Sequence, residues 1–216
     1  MKNQFPIVGI VGAGAMGRGI AQIAAQAGSR VLLLDMQPDA AASARGSIQA
    51  QWQRLQDKGR TSDEQAQGWG NLLEPVATIA DLASCDLVIE AIVERLDAKQ
   101  ALFAQLEAVV GPHAVLATNT SALAVTAIGA TLRRPERLAG FHFFNPVPLM
   151  KVVEVIAGLK TAPKVCESLS HYARQMGHTP VQAQDTPGFI VNHAGRGFGT
   201  EALRIVGAGV ADFATI

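Results

Sequence analysis

A cluster of glycines near the start of the chain restricts the fold more than any other feature. Gly12, Gly14 and Gly17 form a G-x-G-x-x-G pattern that directly follows a short, apolar, β-branched stretch. Beyond the cluster, apolar residues recur at helical spacing, and a second apolar run then ends at Asp35. This order predicts a strand, a tight turn, a helix and a second buried strand, which together make one βαβ unit.

The spacing within this unit is typical of a dinucleotide site. Gly12 would allow the turn, Gly14 would let the backbone approach a diphosphate, and Gly17 would let the helix pack closely on the sheet. Asp35 lies near the ~20-residue separation expected of a carboxylate that binds the adenosine ribose. No basic residue follows at 36–38 to receive a 2′-phosphate, so the pattern favours NAD over NADP. A tight turn without a ligand is the alternative interpretation.

The remaining chain alternates strands with helices, which is typical of a mostly parallel sheet covered on both faces. Helices are predicted over 38–58, 96–110 and 162–176, and a polar surface excursion over 59–70. Further strands are predicted at 75–79, 87–91, 115–118, 138–144 and 152–156, and near Val181. The predicted fold class is therefore α/β, a Rossmann-type, doubly wound, mostly parallel sheet.

The end of the chain predicts the start of a second domain. After the turn at 185–188, a helix begins near Phe189 with apolar residues along one stripe, and the sequence ends at Ile216. An apolar helix at the edge of a finished domain requires a partner surface. We therefore predict a Rossmann domain over 1–186 and, over 187–216, the first helix of a truncated all-helical domain.

Composition argues against several classes of partner. The 18 Lys and Arg side chains balance 18 Asp and Glu, which does not favour a nucleic-acid surface. No apolar run approaches the ~20 residues that cross a membrane. Cys85 and Cys166 are too few for a disulfide framework, and no histidine pair has the spacing of a metal motif. We expect a cytoplasmic protein without nucleic-acid, membrane or metal partners.

A histidine and a carboxylate are the candidates for acid–base chemistry. His142 lies at the C-terminal end of a predicted strand, where an open parallel sheet forms its ligand crevice. Among phenylalanines, a histidine is often only a buried structural residue. Glu154 lies in an apolar run, where a carboxylate is costly to bury without a partner. An imidazole would be that partner, and the carboxylate would stabilise the cation formed when the ring accepts a proton.

Five motifs in combination resemble the 3-hydroxyacyl-CoA dehydrogenase family. They are GAGAMGRGIA at 12–21, EAIVE at 90–94, TNTS at 118–121, HFFNPVP at 142–148 and DTPGFIVN at 185–192. The resemblance runs along essentially the whole chain, and the last two motifs are more specific together than the glycine turn. It implies reversible, NAD-dependent oxidation of (S)-3-hydroxyacyl-CoA to 3-oxoacyl-CoA by hydride transfer.

The resemblance implies roles for four polar residues. His142 would be the general base and Glu154 its partner. Ser121 and Asn192 match the residues that hold the substrate oxygen and orient the reacting centre. Two alternatives stay open, because Ser121 has the character of a helix N-cap and Asn192 that of a helix-start residue.

The resemblance also extends the cofactor and substrate sites. Beside the glycines and Asp35, it implies cofactor contacts for Ala15, Met16, Ala91, Glu94, Lys99 and Asn119. Glu94 and Lys99 also suit an ion pair at a helix start. Lys58 matches a basic residue associated with CoA, although Gln51 stands where a relative carries serine and a solvated charge is the alternative for Lys58.

Two other functions remain open at this point. A relative with lost chemistry would be a structural or regulatory NAD-binding protein, as in lens λ-crystallin, which resembles this family. A β-hydroxyacid dehydrogenase acting on free acids would rely on a lysine instead of the His–Glu pair.

In the family resembled, a following helical domain closes over the acyl-CoA thioester and forms the dimer contact. We therefore expect a homodimer through that domain, and whether the chain is active alone stays open. The acyl-chain preference also stays open, although residues 192–198 resemble the bacterial branch of aromatic-compound or butanoate metabolism.

Overall fold

One sheet organises the fold and places the glycine turn near its middle. The computed structural model describes residues 3–216, and within this range the sheet has eight strands. They are β1 (Ile7–Val11), β2 (Arg30–Leu34), β3 (Leu73–Val76), β4 (Leu87–Glu90), β5 (Val115–Thr118), β6 (Leu138–Phe143), β7 (Val152–Ala157) and β8 (Thr179–Gln184). Their order is β3-β2-β1-β4-β5-β6-β7-β8. The connections reverse direction between β1 and β4, so a ligand crevice is expected at the carboxyl ends of these strands.

The direction of the strands confirms the predicted fold class. Within residues 3–216, β6 and β7 are the one antiparallel pair, and every other pair is parallel. The antiparallel register places His142 directly opposite Glu154. Residues directly opposite each other in such a pair point to the same face of the sheet, so the two side chains meet.

Helices cover both faces of the sheet. They are α1 (Ala15–Gln26), α2 (Ala40–Asp57), α3 (Asp63–Asn71), α4 (Leu96–Val109), α5 (Val125–Ile128), α6 (Pro163–Gln175) and α7 (Val191–Gly207). Buried apolar residues form one cluster that includes α1, α2 and α6 and another that includes α4 and α5. Along β2, Val31 and Leu33 belong to the first cluster and Leu32 and Leu34 to the second, as the alternation of a strand requires.

The polar stretch 59–70 differs from its prediction as a surface excursion, because most of it belongs to α3. The helix begins with a capping box: the Ser62 hydroxyl accepts from the Gln65 N–H, and the Gln65 side chain accepts from the Ser62 N–H. Trp69 packs against Trp52 of α2, with ring centroids 5.7 Å apart. Weak helix propensity misled the prediction, since capping and packing on α2 stabilise this helix.

The third strand also lies earlier than predicted. It spans Leu73–Val76 instead of 75–79, and a short 3-10 helix begins at Ile79. Pro75 tolerates the edge position, because an edge strand leaves one side without a sheet partner.

The last helix of the described chain lies on the surface. α7 contains no buried residue, and Phe198 and Leu203 are 83% and 63% exposed. The assignment of 187–216 to a second, helical domain stays a prediction. Across residues 3–216, no helix combines the length and apolar character needed to cross a bilayer.

Candidate functional site

The glycine turn is shaped by contacts that exclude larger side chains. Gly12 has a φ of +103°, and a Cβ there would lie 2.4 Å from the carbonyl oxygen of Ala91. A Cβ on Gly17 would lie 1.7 Å from the carbonyl oxygen of Gly12. At Gly14, in contrast, a Cβ would meet no heavy atom within 4 Å. The turn is therefore closed toward the sheet and open outward, where a ligand would approach.

The open side of the turn presents main-chain donors. The first helical hydrogen bond of α1 runs from the Arg18 N–H to the Gly14 oxygen. The N–H groups of Ala15 and Met16 therefore have no partner in the helix. Together with the positive end of the helix dipole, they form a site suited to a diphosphate.

Asp35, at the end of β2, holds the turn in place. Its Oδ2 accepts from the Ala13 N–H at 2.6 Å and its Oδ1 from the Gln37 N–H at 2.8 Å. Each carboxylate oxygen can accept more than one hydrogen bond, so these contacts leave capacity for ribose hydroxyls. The residues of the turn, its free N–H groups and this carboxylate fit a dinucleotide.

The next cofactor candidates, Glu94 and Lys99, belong to a charge cluster around the buried Lys99 side chain. Lys99 is 1% exposed, and its Nζ lies 2.5 Å from Glu90 Oε1 and 3.2 Å from Glu94 Oε2. The ion pair between Glu94 and Lys99 is thus present. Sequence reasoning missed Glu90, although its place as an acidic residue at the end of an apolar strand was a usable signal.

Glu94 binds the loop that follows β5. Its Oε1 accepts from the Thr120 hydroxyl at 2.5 Å, the Ser121 N–H at 2.8 Å and the Ala122 N–H at 3.2 Å. Partial burial acts to raise the pKa of Glu94. The hydrogen bonds from Thr120 and Ser121 and the charge of Lys99 outweigh burial and hold this pKa below its ordinary value. Glu94 is therefore a carboxylate at neutral pH.

His142 and Glu154 form a buried pair, in agreement with their opposite positions in the β6–β7 register. His142 Nδ1 lies 2.7 Å from Glu154 Oε2, and the rings of Phe144 and Phe189 lie beside the imidazole. The opposite ring nitrogen, Nε2, makes no hydrogen bond to any of residues 3–216. This nitrogen is the free end of the pair, and His142 lies at the same carboxyl edge of the sheet as the glycine turn.

The second oxygen of Glu154 binds the start of α7. Oε1 accepts from the N–H groups of Ile190 at 2.8 Å and Val191 at 3.1 Å. Asp185, in the preceding turn, accepts from the N–H groups of Val125 and Thr126 at the start of α5. The DTPGFIVN motif thus joins β7, α5 and the start of α7 near His142, a role that its spacing in the sequence did not indicate.

Ser121 and Asn192 lie in contact across this junction. Asn192 Nδ2 donates to the main-chain oxygen of Ser121 at 2.8 Å. The Ser121 hydroxyl makes no hydrogen bond to residues 3–216. The interpretation of Ser121 as a helix N-cap is wrong, because Ala124 occupies the N-cap position of α5. Asn192 does lie in the first turn of α7, but its side chain reaches across to the loop after β5.

Three other candidates make no contact with the His–Glu pair in the described hydrogen bonds: two bond to main-chain atoms of neighbouring strands, and one lies beyond α2. Asn119 is buried, and its Oδ1 accepts from the Phe143 N–H at 2.9 Å, which joins β5 to β6. The Ala91 N–H donates to the Val11 oxygen. Lys58 follows the last turn of α2 and is exposed; its N–H donates to the Gln56 oxygen, and its side chain makes no hydrogen bond or ion pair within residues 3–216.

Comparison with known proteins relates nearly the whole chain to one enzyme family. The family model described as "3-hydroxyacyl-CoA dehydrogenase, NAD binding domain" matches residues 7–186. The 3-hydroxyadipyl-CoA dehydrogenase of Escherichia coli K12 is 46% identical over 204 residues. The human mitochondrial hydroxyacyl-coenzyme A dehydrogenase is 41% identical over 207 residues. The crystal structure of a (S)-3-hydroxybutyryl-CoA dehydrogenase from Ralstonia eutropha superimposes with a TM-score of 0.93 at 33% identity.

These matches cover most of this chain but unequal shares of the relatives. The aligned region is 94% of this chain and 43% of the E. coli protein, and 92% of this chain and 65% of the human one. For the R. eutropha structure the shares are 98% and 75%. The chain therefore spans less than half of the E. coli relative.

Proposed function

Because this chain belongs to the NAD-binding domain family of the 3-hydroxyacyl-CoA dehydrogenases, we propose that it supplies the cofactor site and the general base of such an enzyme. The reaction is the reversible oxidation of (S)-3-hydroxyacyl-CoA to 3-oxoacyl-CoA. The observation that carries the proposal is the buried pair of His142 and Glu154, whose free Nε2 lies at the edge of the sheet that also bears the glycine turn.

The contacts of the pair support one direction for the proposed proton transfer. Glu154 accepts, so Nδ1 carries the proton and Nε2 keeps its lone pair. Nε2 then takes the proton of the substrate C3 hydroxyl as that carbon is oxidised. The imidazolium that forms is stabilised by the Glu154 carboxylate 2.7 Å away. NAD, when bound, supplies the hydride acceptor.

Ser121 and Asn192 orient the substrate oxygen in this proposal. The Ser121 hydroxyl is exposed and free to donate to that oxygen as it becomes a carbonyl. One N–H of the Asn192 amide holds the main chain of Ser121, and the second N–H remains for the substrate. The loop after β5 and the start of α7 thus hold each other through this hydrogen bond, which supports the roles proposed for Ser121 and Asn192.

The cofactor is held by the glycine turn, Asp35 and the side chains beyond β4. The N–H groups of Ala15 and Met16 would bind the diphosphate, and Asp35 the adenosine ribose. Glu94 and Lys99 would line the crevice next to the loop that carries Ser121. Lys58 is proposed to contact CoA, and the exposure of its side chain just beyond α2 leaves it free to do so.

The free cysteines and the exposed apolar side chains of α7 support proposals on location and oligomeric state. Both cysteines are buried and free, and burial raises the pKa of Cys85 to about 12. Unpaired thiols fit a reducing compartment, so we propose a cytoplasmic location. We also propose a homodimer formed through a helical domain that begins near residue 187, for which the exposed apolar side chains of α7 provide a contact surface.

An assay of the full-length protein tests the function. NADH formation would be followed with (S)-3-hydroxybutyryl-CoA, 3-hydroxyadipyl-CoA and longer acyl-CoA thioesters, and with the matching free 3-hydroxy acids. Turnover confined to thioesters is expected. Turnover of free acids alone would establish the β-hydroxyacid alternative, and NAD binding without any turnover would establish a structural or regulatory protein.

We expect Asp35→Asn to weaken selection of NAD against NADP about tenfold. A charged hydrogen bond contributes roughly 1.5–3 kcal/mol, and the lost negative charge no longer repels a 2′-phosphate. The ratio of kcat/KM values for the two cofactors measures the change. Asp39→Asn is a matched control, because Asp39 is exposed and its φ of +61° suits asparagine. An unchanged ratio in Asp35→Asn would remove Asp35 from the ribose site.

A further inference from the structure

Glu90, the last residue of β4, is a buried carboxylate that the proposed proton transfer does not use. It is 0% exposed. Its Oε1 lies 2.5 Å from Lys99 Nζ and accepts from the Ile92 N–H at 2.7 Å, while its Oε2 accepts from the Thr118 hydroxyl at 2.7 Å. A carboxylate is buried at high cost unless it is paired and hydrogen-bonded, and these contacts offset that cost. The partners of Glu90 in turn contact other residues of the site.

One route from this carboxylate runs through Lys99. The ammonium group bridges Glu90 and Glu94, at 2.5 and 3.2 Å. Glu94 then binds the Ser121 and Ala122 N–H groups through its Oε1. The position of Lys99 therefore determines where Glu94 lies, and Glu94 determines where the loop backbone lies.

A second route runs through Thr118. Its hydroxyl donates to Glu90 Oε2, and the Thr118 hydroxyl oxygen also accepts from the Thr120 N–H at 3.2 Å. Thr120 in turn accepts from the Leu123 N–H at 3.0 Å and donates to Glu94. Both routes thus end on residues 120–122, the segment that carries Ser121.

We propose that Glu90 is a positioning residue, which fixes the 120–122 segment through Lys99 and Thr118 and so presents the Ser121 hydroxyl to the substrate oxygen. The role in turnover rests on the proposed function, whereas the role in ordering the segment does not. The negative charge is the essential property of Glu90. When Glu90 carries no charge, Glu94 is the one carboxylate left to pair with Lys99. The ammonium group then draws Glu94 away from the loop N–H groups.

The test is Glu90→Gln in the full-length protein, with two measurements. The first is kcat with (S)-3-hydroxybutyryl-CoA at saturating NAD, which we expect to fall about tenfold because small displacements of reacting groups slow catalysis strongly. The second is hydrogen exchange of the Ser121 and Ala122 amides, which we expect to become about tenfold faster because their acceptor has moved. A loss of packing alone would not single out these two amides.

Glu107→Gln is the matched control. Glu107 also faces a buried cation, Arg137 at 3.8 Å, and accepts from two N–H groups, those of Arg133 and Arg134. It lies at the far end of α4 from Lys99. This variant is expected to lower the melting temperature while leaving kcat and the exchange at Ser121 and Ala122 unchanged.

Glu90→Gln/Lys99→Met removes both buried charges and keeps the proposal testable if the single variant does not fold. In the double variant Glu94 has lost the ammonium group that fixes its Oε2, so fast exchange at Ser121 and Ala122 is expected and supports positioning, whereas wild-type exchange overturns it. If the wild type is active and Glu90→Gln has the same kcat as the wild type, the proposal is also overturned. If the wild type oxidises no 3-hydroxyacyl-CoA, the proposed function is wrong, and amide exchange alone then decides the role of Glu90.

Discussion

Replacing His142 by glutamine is expected to lower kcat of the full-length protein by about 10²- to 10⁴-fold, the usual contribution of a positioned acid–base group. NAD affinity should stay unchanged, because the hydrogen bond and ring contacts of His142 are with Glu154, Phe144 and Phe189, none of which belongs to the glycine turn. Glutamine keeps a polar group beside Glu154 but has no nitrogen that accepts a proton near neutral pH. Steady-state rates in both directions, with a separate titration of NAD binding, measure the two quantities.

His178→Gln controls for the loss of a buried imidazole. The ring nitrogens of His178 face the main-chain oxygens of Met176 and Val147, and the side chain is 3% exposed. We expect this variant to be less stable and to keep kcat within a few fold of wild type. Near-normal turnover by His142→Gln would reject the proposed general base, whatever the result for His178.

Glu154→Gln is expected to reduce kcat about as strongly as the loss of His142. The N–H groups of Ile190 and Val191 need an acceptor, so the glutamine oxygen will stay with them. The amide NH₂ must then face Nδ1 of His142, which forces Nδ1 to accept and Nε2 to carry the proton. The wrong tautomer faces the substrate, and an analogous carboxylate-to-amide change in the serine protease triad costs ~10⁴ in kcat.

The tautomer itself provides the check on this second prediction. Nitrogen NMR shifts of His142 should show the proton on Nδ1 in the wild type and on Nε2 in Glu154→Gln. Thermal unfolding separates the effect from general damage, since the three contacts of Glu154 can be kept by the amide. A variant with the wild-type tautomer and normal kcat would mean that Glu154 only anchors α7.

The glycine turn and the His–Glu contact were predictable because each depends on local pattern or on burial cost. The order of strand, glycines, helix and Asp35 within about 30 residues predicts a βαβ unit. An isolated carboxylate in the apolar strand β7 required a partner, and His142 was a suitable one. The predicted contact is present at 2.7 Å, while the catalytic roles of both residues stay predictions.

The helix α3 and the charge cluster around Glu90 were not predictable in the same way. Residues 63–71 have weak helical character by themselves and fold as a helix through the capping box and the packing of Trp69 on Trp52. In the sequence, Glu90 is only the first residue of the EAIVE motif, and nothing indicates its partner. The packing of α4 on the sheet brings Lys99 to it. Contacts of this kind depend on neighbours that are distant along the chain.

The sequence by itself determined the doubly wound sheet, the position of the glycine turn and the identity of the residues available for acid–base chemistry. These follow from periodicity, glycine spacing and the cost of burying charge, which are properties of short segments. Only the tertiary structure decided that Glu154 also binds the start of α7 and that Asn192 meets Ser121. The relative position of β7, the loop after β5 and α7 is set by packing among all three, and no single segment encodes it.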